Sequence, residues 1–454
     1  MDFLLNPDRE RMDLSLVMAL LVNGRTVLED FAWASDSKSF AEALKEFGLN
    51  YEIQGHQLVL TGLGFQYRLP SMLPMEFSES RNVMLWTLAS KDVEQIYTFA
   101  ADEDEAGIAK VDAAKSLLQS YFKVNTVSDE PAKFTFTFAP EDPAIKKDSL
   151  GNVAYIMRNR LLLRNLVNYG YISFEEKSTV HDQLTKMLMY FGVNLKYEGR
   201  GMDQLTELER RMMMARGQKV ERTQFTELAE TKVITAREYF IPGDTTEAVA
   251  LVLLATIGNL PKNACIAIKN VDLNSSRAGA LTCLKRMGAS FETVSRRERF
   301  GDVYGDIEAF PLVSGKRLQG RRFSEDAIAT GLEEFPFLAV AACFAEGETI
   351  LRLPKEIRQK MRPVNERLAE NLRKTGAEVG VYDDGLVIRG LETVVNGNDF
   401  DGGDSAAMGL ALSVLSIALQ NKEPVANCEI VEKVYPGILE KLNQASSIVV
   451  EKGE

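Results

Sequence analysis

Two kinds of apolar phrase alternate along this chain. In the first, a stretch apolar on nearly every side closes on Gly or a polar residue and runs into a short extended segment, as in SLVMALLVNGRTVLED, LLLRNLVNYGYISFEE and LAVAACFAEGETILRL. In the second, an amphipathic stretch stops near Gly and a β-branched or aromatic run follows, as in FAEALKEFGLNYEI, LTKMLMYFGVNLKYE, ALTCLKRMGASFETV and LAENLRKTGAEVGVY. The physics is common to both. Leu and Ala carry a helix, Gly supplies the positive-φ turn that ends it, and a strand follows. The second phrase often leads into a hairpin, as at YDDGLVIRG, where Asp384-Gly385 is a turn signal. The repeating unit is roughly βαβαββ, present about five or six times, and a duplicated α/β architecture follows. AAKSLLQSYFKVNTV fits as a further copy, with Lys123 where the others have Gly.

Composition narrows the function classes. The chain has 454 residues, of which 45% are hydrophobic and 26% charged, enough to build a large core and too apolar for disorder. Lys and Arg number 53 against 65 Asp and Glu, a net charge of −12, which argues against a broad nucleic-acid surface. A locally basic pocket for a small anion stays open. No apolar run reaches 18 residues, so no membrane span is expected, and the acidic, proline-interrupted MDFLLNPDRERMD is not a signal peptide. Cys265, Cys283, Cys343 and Cys428 lack CxxC spacing and sit among small or apolar neighbours, the pattern of buried, reduced thiols in a cytoplasmic protein. With His56 and His181 the only histidines, neither an all-protein zinc site nor a Ser-His-Asp triad is expected. The charged segment near 199–232, with RRMMMARGQKVER at its centre, reads as an exposed helix or hairpin insertion, with an anion-binding or partner surface as the alternative.

From Pro242 onward the motifs become specific. Pro242-Gly243-Asp244, the turn Asn274 to Arg277, Met287-Gly288-Ala289 and Gly305-Asp306-Ile307 come in order. The helix start Glu333-Glu334-Phe335-Pro336, then AENLRKTGAEVGVYDDGLVIRG, and Tyr435-Pro436 after Lys433 complete the series. Together these resemble the C-terminal half of the 5-enolpyruvylshikimate-3-phosphate (EPSP) synthase family. The resemblance implies an α/β fold of two lobes, each an inside-out barrel of three βαβαββ repeats around buried helices. Residues 1–10 with 241–454 would form one lobe and 11–240 the other, with the ligand in the cleft between them. It also implies transfer of the enolpyruvyl group of phosphoenolpyruvate to the 5-hydroxyl of shikimate 3-phosphate, through a tetrahedral adduct. The expected partner is thus a small anionic substrate, with no metal, organic cofactor, nucleic acid or membrane, and the expected state a monomer.

Carried over residue by residue, the family's site is only partly present. Glu333 takes the place of the catalytic Asp, Arg9 that of the N-terminal lysine, and Lys433 that of the last lysine; these are the expected catalytic residues. Lys110 falls at a substrate-binding Arg, Asp182 beside His181 matches a family Asp, and Asp404 opens the motif that reads Asp404-Ser405-Ala406. Against these stand the losses. Serine of the first motif becomes Glu10, and family arginines become Leu14, Met84, Val364 and Ala406. The second catalytic acid becomes Met361, and the shikimate-holding Ser-Ser-Gln falls near Ala154-Tyr155-Ile156. Arg358, Lys360 and Arg362 cluster beside Val364; KEIRQKMR reads as a solvated basic stretch, with the alternative that one of these cations reaches the site, Arg362 being the expected replacement for substrate binding.

Magnitudes weigh against ordinary phosphoenolpyruvate chemistry. Guanidinium groups grip phosphate and carboxylate bidentately, and losing two of them from one ligand costs on the order of 4–8 kcal/mol. Millimolar binding is worth about 4 kcal/mol in all. Two readings follow. One is an enolpyruvyl transferase of weak or altered activity that uses Arg9, Glu333 and Lys433; the other is a non-catalytic, ligand- or partner-binding paralogue.

Overall fold

Helices of the first phrase type are largely apolar, and in the computed structural model most of their residues are buried. The structure describes residues 1–34, 36–76, 78–141, 155–168, 170–177, 181–200, 212, 223–392, 394, 399–421 and 423–447. The chain divides into two compact units. Met1–Arg9, Ala32–Asp36 and Ile241–Glu454 form the C-terminal unit, and Glu10–Phe31 with Ser37–Phe240 the N-terminal unit.

The C-terminal unit is built around helices Thr245–Ile257, Phe335–Cys343 and Ala406–Ala418, whose residues are almost all buried. Sheets and amphipathic helices cover them. One sheet runs Asp2–Leu4, Ile266–Asp272, Asp302–Phe310, Ser290–Arg299, its first pair parallel and the others antiparallel. A second runs Arg322–Phe323, Glu348–Arg352, Gly385–Arg389, Glu378–Tyr382 with the same pattern. The third repeat ends differently among the described residues. A single parallel bridge, Asp401 to Ala426, stands where the sheet would be, and helices Glu429–Val434 and Ile438–Ser446 follow instead of a hairpin.

The N-terminal unit repeats the plan with inner helices Arg9–Leu21, Glu79–Ala89 and Tyr155–Val167. Its sheets run Glu238–Phe240, Asn23–Glu29, Gln57–Leu63, Asn50–Gln54, then Tyr97–Ala100, Lys133–Phe138, Val124–Glu130, and finally Ile172–Lys177, Thr223–Leu228, Leu195–Arg200. The last of these includes the ends of the charged segment near 199–232. These ends are hairpin arms, with Thr223 opposite Arg200, and 201–211 and 213–222 lie outside the described residues.

The two phrase types are two helix environments. Phrase one is the inner helix, enclosed because an all-apolar cylinder finds no better solvent than other apolar surface. Phrase two is the outer helix, such as Ser37–Glu46 or Gly279–Met287, with one face packed and one wet. Its closing glycines Gly48, Gly192, Gly288 and Gly376 have φ of 102°, 80°, 103° and 85°, the left-handed turn expected of them. Among the described residues no helix is long and apolar enough to cross a membrane.

A buried ion pair joins helices inside the N-terminal unit. Fully buried Arg81 donates from Nε to Asp13 Oδ2 at 2.7 Å and from Nη2 to Asp13 Oδ1 at 3.1 Å, and Ser37 Oγ adds a bond to Asp13 at 2.8 Å. This fork ties two inner helices to an outer one. Replacing Arg81 by Met strands the Asp13 carboxylate in the core, and urea denaturation should read a loss of about 3–5 kcal/mol. Arg297→Met, which breaks a surface pair with Asp306, should cost less than about 1 kcal/mol in the same experiment.

Candidate functional site

The beginnings of the inner helices are where buried apolar surface gives way to charge. Exposed N–H groups and the helix dipole favour carboxylates there. In the C-terminal unit Asp244 caps Thr245–Ile257, accepting from the backbone N–H of Thr246 at 2.8 Å and of Glu247 at 3.3 Å. Glu333 and Glu334 stand before Phe335–Cys343, with Pro336 in its first turn. Neighbours in sequence, they differ in environment. Glu334 is fully buried, while the Glu333 side chain is 35% exposed.

A polar constellation gathers around Glu333. Arg9 Nη2 lies 3.6 Å from Oε1, Arg277 Nη2 lies 3.6 Å from Oε2, and the Tyr435 hydroxyl donates to Oε1 at 2.9 Å. Arg277, nearly buried, also donates to Glu334 Oε1 at 3.4 Å, and the Thr246 hydroxyl donates to the same oxygen at 2.8 Å. Farther along, fully buried Glu247 accepts from Asn6 through both carboxylate oxygens and from Lys441 Nζ at 3.1 Å.

Electrostatics follow from the crowding of acids. Burial, reinforced by the charges of Asp8, Glu333 and Glu247 and opposed by Arg277, holds the Asp244 carboxyl well above the usual range. Glu334 is also raised, by burial first, with Arg277 pulling it back and Glu333 pushing it further. Burial and the Glu333 charge push the Tyr435 phenol well above its ordinary range, so it remains a donor. A half-exposed carboxylate between two guanidiniums and a fixed O–H can exchange a proton with a ligand, and Arg9 offers that ligand a partly exposed cation.

The expected site residues divide into three groups. Arg9 and Glu333 are brought together. Lys433 is exposed near the end of helix Glu429–Val434, two residues before Tyr435. Arg362 is 65% exposed on helix Arg358–Arg373 and bonds to Glu366 at 3.1 Å and Asp383 at 3.5 Å, so the expected replacement cation is engaged with surface acids. Arg358 is likewise bound to Glu325 at 2.6 Å, and Asp404 is exposed beside the capping residue Ser405. In the N-terminal unit, Lys110 is exposed on helix Glu105–Tyr121 and lines a cavity of about 480 Å³ with Asp102 and Asp104. Asp182 is nearly buried, paired with Lys186 at 3.0 Å and accepting from the Tyr197 hydroxyl at 3.4 Å.

The positions that lost arginine are also placed. Leu14 and Met84 are buried core residues of their inner helices, whereas Met361, Val364 and Ala406 are half-buried. Glu10 accepts the Tyr155 hydroxyl, and Ala154 lies outside the described residues. The thiols do not supply a nucleophile: burial pushes Cys283 up to about 11 and Cys343 to about 12. Among the described residues no group of His, Cys, Asp and Glu side chains is arranged to hold a metal ion.

Sequence reasoning missed Arg277, Asp244, Glu334 and Tyr435 as members of the site. All four stand in the motifs Pro242-Gly243-Asp244, Asn274 to Arg277, Glu333 to Pro336 and Tyr435-Pro436, in which the resemblance assigns a chemical role to Glu333 alone.

Comparison with known proteins gives a consistent picture. The sequence model of the EPSP synthase (3-phosphoshikimate 1-carboxyvinyltransferase) family matches residues 203–442. A 3-phosphoshikimate 1-carboxyvinyltransferase of Bacillus pumilus is 24% identical over 450 residues, covering 97% of this chain and 96% of that protein. Among solved structures, EPSP synthase from Acinetobacter baumannii superposes with a TM-score of 0.71 at 21% identity, over 98% of this chain and 95% of the other. The enolpyruvyl transferase NikO from Streptomyces tendae gives a TM-score of 0.62 at 13% identity, over 98% and 94%.

The buried acids make a prediction. Glu334 is raised in the folded state, so the stability its protonated form contributes is present below the unfolded value of about 4.3 and lost as pH rises through the folded value. Glu334→Gln carries no such charge. Its Tm relative to wild type should therefore improve as pH rises above the unfolded value of about 4.3 and level off once the folded-state carboxyl has ionised. A difference that does not change with pH would show that Glu334 stays in one protonation state.

Proposed function

This chain belongs to the EPSP synthase (3-phosphoshikimate 1-carboxyvinyltransferase) family, and from that premise we propose that it is an enolpyruvyl transferase with altered substrate demands. The observation that carries the reading is the half-exposed Glu333 carboxylate between Arg9 and Arg277. In this reading Glu333 moves the proton, and Arg9 and Lys433 stabilise charge on the transferring group. Enolpyruvyl transfer asks for such groups because an acceptor oxygen must lose a proton as the tetrahedral adduct forms. Asp404 and Arg362 have lesser parts, since both are exposed and Arg362 is engaged with Glu366 and Asp383.

What the site lacks is grip on a small dianion. Val364 and Ala406 offer neither charge nor donor, and Arg358 and Arg362 are committed to acids. Phosphoenolpyruvate should bind more weakly than about 1 mM, because the missing forks remove as much free energy as such binding is worth. The same commitment of cations favours a second reading, a ligand- or partner-binding paralogue without turnover.

Calorimetry with phosphoenolpyruvate and shikimate 3-phosphate, then phosphate release over a panel of hydroxyl acceptors, separates these. The proposal expects slow, acceptor-dependent phosphate release that Glu333→Gln lowers by about 10²–10⁴-fold. Tight binding and rapid turnover with shikimate 3-phosphate would overturn the altered-substrate reading. Absence of phosphate release with every acceptor would favour the non-catalytic one.

A further inference from the structure

Glu333 is the one carboxylate of the cluster that is both partly exposed and contacted by an uncharged donor. That donor is Tyr435, 2% exposed, whose hydroxyl reaches Glu333 Oε1 at 2.9 Å across 102 residues of chain. The position of the phenol is itself fixed. Tyr435 N–H donates to Val431 C=O at 2.7 Å, and the Pro436 carbonyl accepts from Asn6 Nδ2 at 2.8 Å. Asn6 in turn donates from its backbone N–H and its side-chain amide to the two oxygens of Glu247, and its carbonyl accepts from the Asp244 N–H at 2.8 Å. Because Asn6 lies three residues before Arg9, one asparagine ties the segment leading to Arg9 to the turn carrying Tyr435. Both groups that approach Oε1 are therefore set by the same asparagine clamp.

We propose that Tyr435 is a positioning residue for Glu333, fixing the orientation of its carboxylate and stabilising its charged form for proton exchange with a ligand. This rests on the reading of Glu333 as the proton-transfer group. Oε1 accepts from the Tyr435 hydroxyl and is faced by Arg9, while Oε2 lies 3.6 Å from Arg277. The charged and titratable groups around Glu333 include Arg9, Arg277, Tyr435, and the carboxyls of Glu334 and Asp244. Of these only Tyr435 can be stripped of its polar atom without a change of charge. A hydrogen bond made to the charged form of an acid favours that form. Losing this one should move the titration by about one pH unit.

The test uses Tyr435→Phe, which removes one oxygen and keeps the ring. In protein labelled with ¹³C at the glutamate carboxyl carbon, the Glu333 signal is the one that vanishes in Glu333→Gln. The pH at which it titrates should rise by about one unit in Tyr435→Phe. Ile438→Val, a buried change on the following helix, should lower the Tm by about 2–4 °C and leave that titration unmoved. An unmoved Glu333 titration in Tyr435→Phe overturns the proposal, and so does an equal movement in Ile438→Val. The measurement does not depend on turnover. A shifted titration in a protein that releases no phosphate keeps Tyr435 as the residue that sets Glu333 and sinks the transferase reading. Phosphate release with an unshifted titration does the reverse.

Discussion

An α-helix that is apolar on every side must be enclosed on every side, and that constraint organises both units. Thr245–Ile257 and Phe335–Cys343 bury nearly all of their side chains, so sheets and amphipathic helices have to wrap them rather than lie beside them. Enclosure leaves only the ends of an inner helix open to polar chemistry. At the N-terminal ends, unpaired N–H groups and the dipole invite acids. Asp244, Glu247, Glu333 and Glu334 stand at these ends in the C-terminal unit, and Glu10 and Glu79 at the corresponding ends in the N-terminal unit. The candidate site is a consequence of the core.

Once several carboxylates share one buried region, the few cations decide what each can do. Arg277 lies between Glu333 and Glu334, and Lys441 satisfies Glu247. Asp244 and Glu334, deeper, are driven towards their neutral forms by burial, which spares the unit the cost of several uncompensated charges. Glu333, nearer solvent, has two guanidiniums and a phenol facing it. The division of labour is set by depth.

The fold was legible in the residues because enclosure demands a particular composition: the alternation of all-apolar and amphipathic phrases is the alternation of inner and outer helices. Closing glycines such as Gly288 and Gly376 were legible for the same local reason, a left-handed backbone that side chains resist. The third repeat of the C-terminal unit was not. Its apolar phrase ends like the others, yet helices Glu429–Val434 and Ile438–Ser446 stand where a hairpin was the pattern. Nothing local in a short apolar run separates strand from helix, and packing made the choice.

The candidate site was legible in its identities and illegible in its contacts. The sequence by itself determined that Leu14, Met84, Val364 and Ala406 carry no charge, and that Glu333, Arg9 and Lys433 do. That Arg362 bonds with Glu366 and Asp383 while Arg277 turns inward to Glu333 and Glu334 was decided by tertiary structure. Residues on one helix face opposite ways within two positions, and which face is buried depends on what packs there. The bond from Tyr435 to Glu333 and the Asn6 clamp behind it span separations over which spacing carries no distance information. Covalent order fixes which groups exist; only the closed core fixes which of them meet.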